Sequence, residues 1–140
     1  MTKSYIQRIL LVLVFSCSTP LFAQTHSQAL NSKLSVSGQM TTEKFSTLLK
    51  QSKFKSVIVN RPDEELGNET SVLQLRSIAE KSHVSVVYQP VVSGKISQTD
   101  VREFAKYYNE LPKPILMICR SGSRSTALFN QAQAQGLLND

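Results

Sequence analysis

From residue 34 to residue 135, short apolar runs alternate with segments whose apolar side chains recur at helical spacing. The runs 34–37, 55–60, 84–89 and 114–118 have the length and content of strands, Val57-Ile58-Val59 being the most β-branched. Strands that read as continuous apolar runs are buried on both faces, as in a parallel sheet covered by helices. Between them, Phe45, Leu48 and Leu49 follow a cap at Thr41 or Thr42. Val72, Leu75, Ile78 and Ala79 follow one at Thr70 or Ser71. Ser97 with Asp100 forms a variant capping box ahead of Val101, Phe104, Ala105 and Tyr108, and Pro112 and Pro114 bracket the turn into the last strand. Tyr107 and Tyr108 are expected to pack on this helix rather than stack on a substrate. The pattern predicts an α/β fold with a mostly parallel central sheet flanked by helices. In such sheets ligands bind beyond the carboxyl ends of the strands. That edge carries residues 60–65, 90–97 and 119–124.

The last of these loops, Cys119-Arg120-Ser121-Gly122-Ser123-Arg124, joins the strand at 114–118 to a helix expected over 125–135. A cysteine beside a helix N-terminus faces orphan amides and the positive end of the dipole. With two arginines nearby, such an environment lowers a thiol pKa from about 8.5 into roughly the 3.5–7.5 range. The bland alternative is a small core residue beside a solvated basic face. Gly122, which permits tight backbone geometry, and the converging arginines weigh against it.

The chain's 140 residues begin with a basic stretch (Lys3, Arg8), an apolar stretch over 9–15 and a Pro20-Leu21-Phe22-Ala23 cleavage pattern. This predicts a secretory signal peptide over 1–23, whose core is too short to span a bilayer, and an exported, periplasmic protein. Val14-Phe15-Ser16-Cys17 is a lipobox-like alternative with Phe15 out of place, in which Cys17 would be lipidated. Residues 24–33 are expected to be flexible, and 34–140 to form one domain. Cys17 departs with the leader, leaving Cys119 with no disulfide partner, a liability in an oxidising compartment unless the thiol is used or buried. The net charge is +6, of which Lys3 and Arg8 supply two. A modest basic excess without a basic helix stripe or aromatic platform suits an anionic small molecule and argues against nucleic acid. No cofactor and no metal-ligand cluster is expected. His26 falls in the lead-in, and His83, between a helix and a strand, reads as a surface residue.

Three segments together carry a family resemblance: Ser37-Gly38-Gln39-Met40-Thr41, Val57-Ile58-Val59-Asn60-Arg61-Pro62-Asp63-Glu64-Glu65, and Cys119 to Ser125. They resemble the bacterial phosphatase-like domain found alone or fused to beta-lactamase-like hydrolases. The resemblance covers residue 34 to the C-terminus and implies a fold like the dual-specificity tyrosine phosphatases, with either phosphatase or sulfurtransferase activity. Cysteine phosphatases place one more residue between cysteine and arginine and a histidine before the cysteine. Here four residues separate Cys119 from Arg124, and Ile118 precedes the cysteine. The loop is similar to that of rhodanese-type sulfurtransferases. The stretch 90–99, where a phosphatase would carry its acid, has no carboxylate, and Asp63 or Glu64 would have to substitute.

These features predict an exported sulfurtransferase. The Cys119 thiolate takes sulfane sulfur from an anionic donor as a persulfide and passes it to a thiol acceptor. Arg124 and the amides of Arg120, Ser121, Gly122 and Ser123 would bind the oxyanion, with Arg120 alternatively attracting the donor from outside. The family position of Ser125 implies a hydrogen bond to the sulfur. Asn60 is expected to brace the adjacent turn, and Arg61 to pair with Asp63 as a structural tie. The alternative is a phosphatase acting on a phosphoester through a Cys119 phosphocysteine. A third reading is a non-catalytic anion-binding or redox-sensing module.

Overall fold

The computed structural model of the protein describes residues 27–139. The predicted signal peptide, Cys17 and His26 lie outside them. In chain order the elements are β1 (Ser27–Ala29), β2 (Leu34–Ser37), α1 (Thr42–Gln51), β3 (Ser56–Val59) and α2 (Val72–Glu80). They continue with β4 (Ser85–Tyr88), α3 (Gln98–Glu110), β5 (Ile115–Ile118) and α4 (Ser123–Ala134). The sheet runs β1-β2-β5-β3-β4, and every pairing is parallel except β1 with β2. The fold is the predicted α/β arrangement, with β5, last in sequence, at its centre.

Central placement explains the composition of β5. Ile115 and Met117 enter one core with Val101, Phe104 and Tyr108 of α3 and Leu128 and Phe129 of α4. Leu116 and Ile118 enter the other with Phe45, Leu48 and Leu49 of α1 and Val72, Leu75 and Ala79 of α2. Alternate side chains thus point into two dry layers, and no position is left for a polar residue. The helices start where the caps require. Thr41 caps α1, and Ser71 with Gln74 and Ser97 with Asp100 form capping boxes on α2 and α3.

Two expectations are corrected. Part of the lead-in expected to be flexible over 24–33 is a strand: Ser27, Gln28 and Ala29 pair with Ser37, Val36 and Ser35. The turn between them is closed by Leu30 N–H donating to Leu34 C=O at 2.9 Å. Ser27-Gln28-Ala29 has no strand signature of its own, and the ladder is supplied by the free edge of β2. Helix α4 begins at Ser123, two residues before the expected 125, because Gly122 takes a positive φ of 95° at its N-cap and turns the loop directly into the helix.

The register sets up the functional edge. Ser37 and Val59 both lie opposite Ile118, and Val59 lies opposite Tyr88. Four parallel strands therefore end on one rung, and the next residues are Gly38, Cys119, Asn60 and Gln89.

Phe45 and Phe104 are fully buried on opposite faces of the sheet. Phe45→Ala and Phe104→Ala are each expected to cost about 3–5 kcal/mol in chemical denaturation. Combined, they are expected to add, because the sheet separates them. A cost below about 1 kcal/mol at either site would contradict the two-layer core.

Candidate active site

Cys119 leaves the end of β5 fully buried, its N–H donating to Ser37 C=O at 3.2 Å. The chain then turns back, and Gly122 N–H donates to Cys119 Sγ at 3.1 Å. Burial pushes the Cys119 thiol up. The Ser125 hydroxyl and the backbone amides of Ser125, Gly122 and Ser121, all aimed at the sulfur, outweigh it and hold the pKa below the ordinary thiol value. These donors are arranged by the helix start, where the first amides have no intrahelical acceptor.

A strap from β2 fixes the outer side of the loop. Gln39 N–H donates to Arg120 C=O at 3.1 Å, and Gly38 bridges to Ser121. A Cβ on Gly38 would lie 2.9 Å from Arg120 C=O, so the approach admits only glycine without displacement of the loop. Ser121 and Ser123 are exposed and share a hydroxyl–hydroxyl contact at 3.2 Å, and Arg120 is exposed as well. A groove of about 700 Å³ between β1, β2 and the start of α4 lies behind this strap and does not include Cys119.

Asn60 braces the inner side. Its Nδ2 donates to Gln89 C=O at 3.1 Å, which fixes the amide so that Oδ1 accepts from the Ser125 hydroxyl at 2.9 Å. That hydroxyl has one proton, shared between Asn60 Oδ1 and the sulfur. All three residues are buried, and Gln89 in turn donates to Asp100 C=O at the start of α3.

Arg124 is 7% exposed, with two of its nitrogens committed. Nη1 donates to Val91 C=O at 2.8 Å, and Nη2 meets the Glu65 carboxylate at 3.0 Å. Nε has no partner. A buried guanidinium N–H left unpaired is available as a donor to an oxyanion, and Arg61 Nε is also without a hydrogen-bond partner. Bonding from Arg124 holds the Glu65 carboxyl below its usual range. Burial opposes this, and the charges of Arg124, Arg61 and Arg120 reinforce it.

The expected Arg61–Asp63 pair is not formed. Arg61 donates to Gln39 Oε1 and to Leu66 C=O, and its Nε lies 3.4 Å from Glu65. Asp63 Oδ1 instead accepts from Val72 N–H at 2.9 Å, because the exposed amides at the start of α2 offer a carboxylate a better partner. Glu64 is exposed. Glu65, Gln39 and Gln89 went unread in the sequence. The Arg61–Glu65 spacing is the only hint of the first, and the others act through contacts between distant segments. His83 is exposed at the opposite edge of the sheet, before β4.

Residues 27–136 match the family described as beta-lactamase hydrolase-like protein, phosphatase-like domain, and the chain belongs to that family. A beta-lactamase hydrolase-like protein of Agrobacterium fabrum is 30% identical over 105 residues, covering 75% of this chain and 24% of that protein. One from Xylella fastidiosa is 26% identical over 100 residues, covering 71% and 23%. The chain thus spans about a quarter of the length of these curated relatives. A Neisseria meningitidis structure with a provisional phosphatase designation is similar at a TM-score of 0.71 and 26% identity, covering 80% of this chain and 78% of that one. The catalytic core of a Saccharomyces cerevisiae PP-IP phosphatase shares the fold, with a TM-score of 0.63 at 17% identity over 81% and 68% of the chains. The fold is therefore that of the cysteine phosphatases.

Two variants probe the electrostatics. Ser125→Ala removes a donor that favours the thiolate while burial remains, so the Cys119 titration midpoint is expected to move up, read by thiolate absorbance. An unchanged midpoint would place the stabilisation elsewhere. Glu65→Gln removes the shared counter-charge of two buried guanidinium groups and is expected to cost about 1–3 kcal/mol in thermal or urea unfolding.

Proposed function

We propose that this domain hydrolyses phosphoryl compounds through a Cys119 phosphocysteine. The observation that carries the reading is the buried Cys119 sulfur at the end of β5, faced by the loop amides and followed on the same loop by Arg124, whose buried Nε has no partner. The family match and the phosphatase-like neighbours support phosphoryl transfer over the sulfur transfer favoured by loop length.

In this mechanism the loop amides and Arg124 Nε bind the phosphoryl oxygens, and the Cys119 thiolate attacks phosphorus. An S–P bond forms as the P–O bond to the leaving group breaks, and the leaving group takes that electron pair. Water then attacks phosphorus, the S–P bond breaks, the thiolate is restored, and inorganic phosphate departs with the water proton released to solvent. Splitting the transfer in two is the usual gain of nucleophilic catalysis. The pre-formed donors stabilise charge on the equatorial oxygens without reorganising. With the leader read as a signal peptide, the reaction takes place outside the cytoplasm.

One observation favours sulfur transfer as a second reading: the loop has four residues between Cys119 and Arg124, a small cradle suited to a persulfide. Para-nitrophenyl phosphate and thiosulfate, each given to the full chain, separate the two. Phosphatase action releases inorganic phosphate and leaves a trappable phosphoenzyme. Both are lost in Cys119→Ser, and turnover falls at least roughly 10²-fold in Arg124→Lys, whose point charge lacks Nε. A mass gain of one sulfur from thiosulfate with no phosphate release from any phosphoryl compound would transfer the assignment to sulfur.

A further inference from the structure

We infer that the site cleaves phosphoryl donors whose leaving group departs as a stable anion without being protonated. This class comprises acyl phosphates, phosphoanhydrides and phosphates of acidic phenols, as opposed to alkyl phosphates and ordinary phenyl phosphates. The inference rests on the phosphatase reading and concerns how that reaction expels its leaving group.

A general acid must stand within hydrogen-bond reach of the leaving oxygen, and the carboxylates around the strand ends are engaged elsewhere or unoriented. Asp63 caps α2, and Asp100 closes the capping box of α3 through Ser97 N–H at 2.8 Å. Glu65 is ion-paired with Arg124 and Arg61 and is held ionised, the opposite of what an acid needs. Glu43, at the start of α1, is also held below its usual range by bonds from its own backbone and from Thr42 and Thr41. Glu64 and Glu69 are exposed on the loop after β3, and no hydrogen bond orients either carboxylate among the described residues. Glu80 and Glu110 end α2 and α3 at the far edge of the sheet, and Glu103 is engaged by the Tyr107 hydroxyl. The segment 1–26 has no Asp or Glu, and Asp140 lies outside the described residues. The loop after β4 carries a cation instead: Lys95 is its one ionisable side chain, and it is exposed. With Arg120 exposed on the catalytic loop, both loops offer positive charge to a departing anion, and neither offers a carboxylic acid.

The consequence is quantitative. A positioned acid contributes about 10²–10⁴ in rate and flattens the dependence on leaving-group basicity. Without one, kcat/KM is expected to fall about tenfold for each unit rise in leaving-group pKa, since charge accumulates fully on the departing oxygen in a loose transition state. The test uses the full chain with substituted aryl phosphates running from dinitrophenyl to phenyl phosphate, together with acetyl phosphate, pyrophosphate and phosphoserine. Expected are a steep linear decline across the aryl series, turnover of acetyl phosphate, none of phosphoserine, and no change in slope in Glu64→Gln or Glu69→Gln. A higher kcat/KM for acetyl phosphate or pyrophosphate than the aryl line predicts from their leaving groups assigns the natural substrate to the anhydrides. Values on or below that line assign it to the aryl phosphates. A flat series overturns the inference and leaves the phosphatase standing, as does a loss in Glu64→Gln or Glu69→Gln confined to poor leaving groups. Failure of every phosphoryl donor, acetyl phosphate included, sinks the phosphatase reading itself.

Discussion

Everything at the functional edge depends on β5 being held between two parallel neighbours. Ser37 and Val59 flank Ile118 on the same rung, so Cys119 leaves the sheet at a point where the backbone has no lateral freedom. Cores on both faces, with Met117 and Leu116 pointing opposite ways, remove freedom in the third direction. A buried thiol whose pKa is lowered by four donors requires that rigidity, because hydrogen bonds to sulfur weaken steeply with misalignment.

Around this fixed point the protein has buried an unusual concentration of polar groups. Asn60, Arg61, Gln89, Arg124 and Ser125 are all buried within a few residues of strand ends. Such groups are costly unless satisfied, and nearly all are, by the chain that runs from Asp100 through Gln89 and Asn60 to Ser125 and by the Glu65 pair. The exceptions among the described residues are Arg61 Nε, Gln89 Oε1 and Arg124 Nε, and of these Arg124 belongs to the Cys119 loop itself.

The loop departs from its fold in one respect. Fold and family are phosphatase-like, while only four residues separate Cys119 from Arg124. The Glu65 carboxylate shows how the difference is accommodated. Instead of facing a leaving group, it orders two guanidinium groups and so belongs to the cradle. In the proposed phosphatase, a site built this way uses its carboxylates for positioning and leaves reactivity to Cys119 and the leaving group's own stability.

The four parallel strands, all four helices and the Cys119 loop were legible in the sequence because their signals are local: β-branched runs, caps such as Ser97 with Asp100, and glycine at a helix start. The strand β1 was not, since Ser27-Gln28-Ala29 has no pattern and its ladder belongs to β2. The partner of Arg61 was misread for the same kind of reason. Asp63 is nearer in the chain, yet the amides of α2 claim it, and Glu65 turns inward instead. Sequence alone singled out Cys119 and the charge around it, because residue identity and neighbouring helix propensity suffice for that. Only the tertiary structure decided which carboxylates are already occupied and which donor is left over, because hydrogen-bond partners are chosen by proximity in space among segments that lie far apart in the chain.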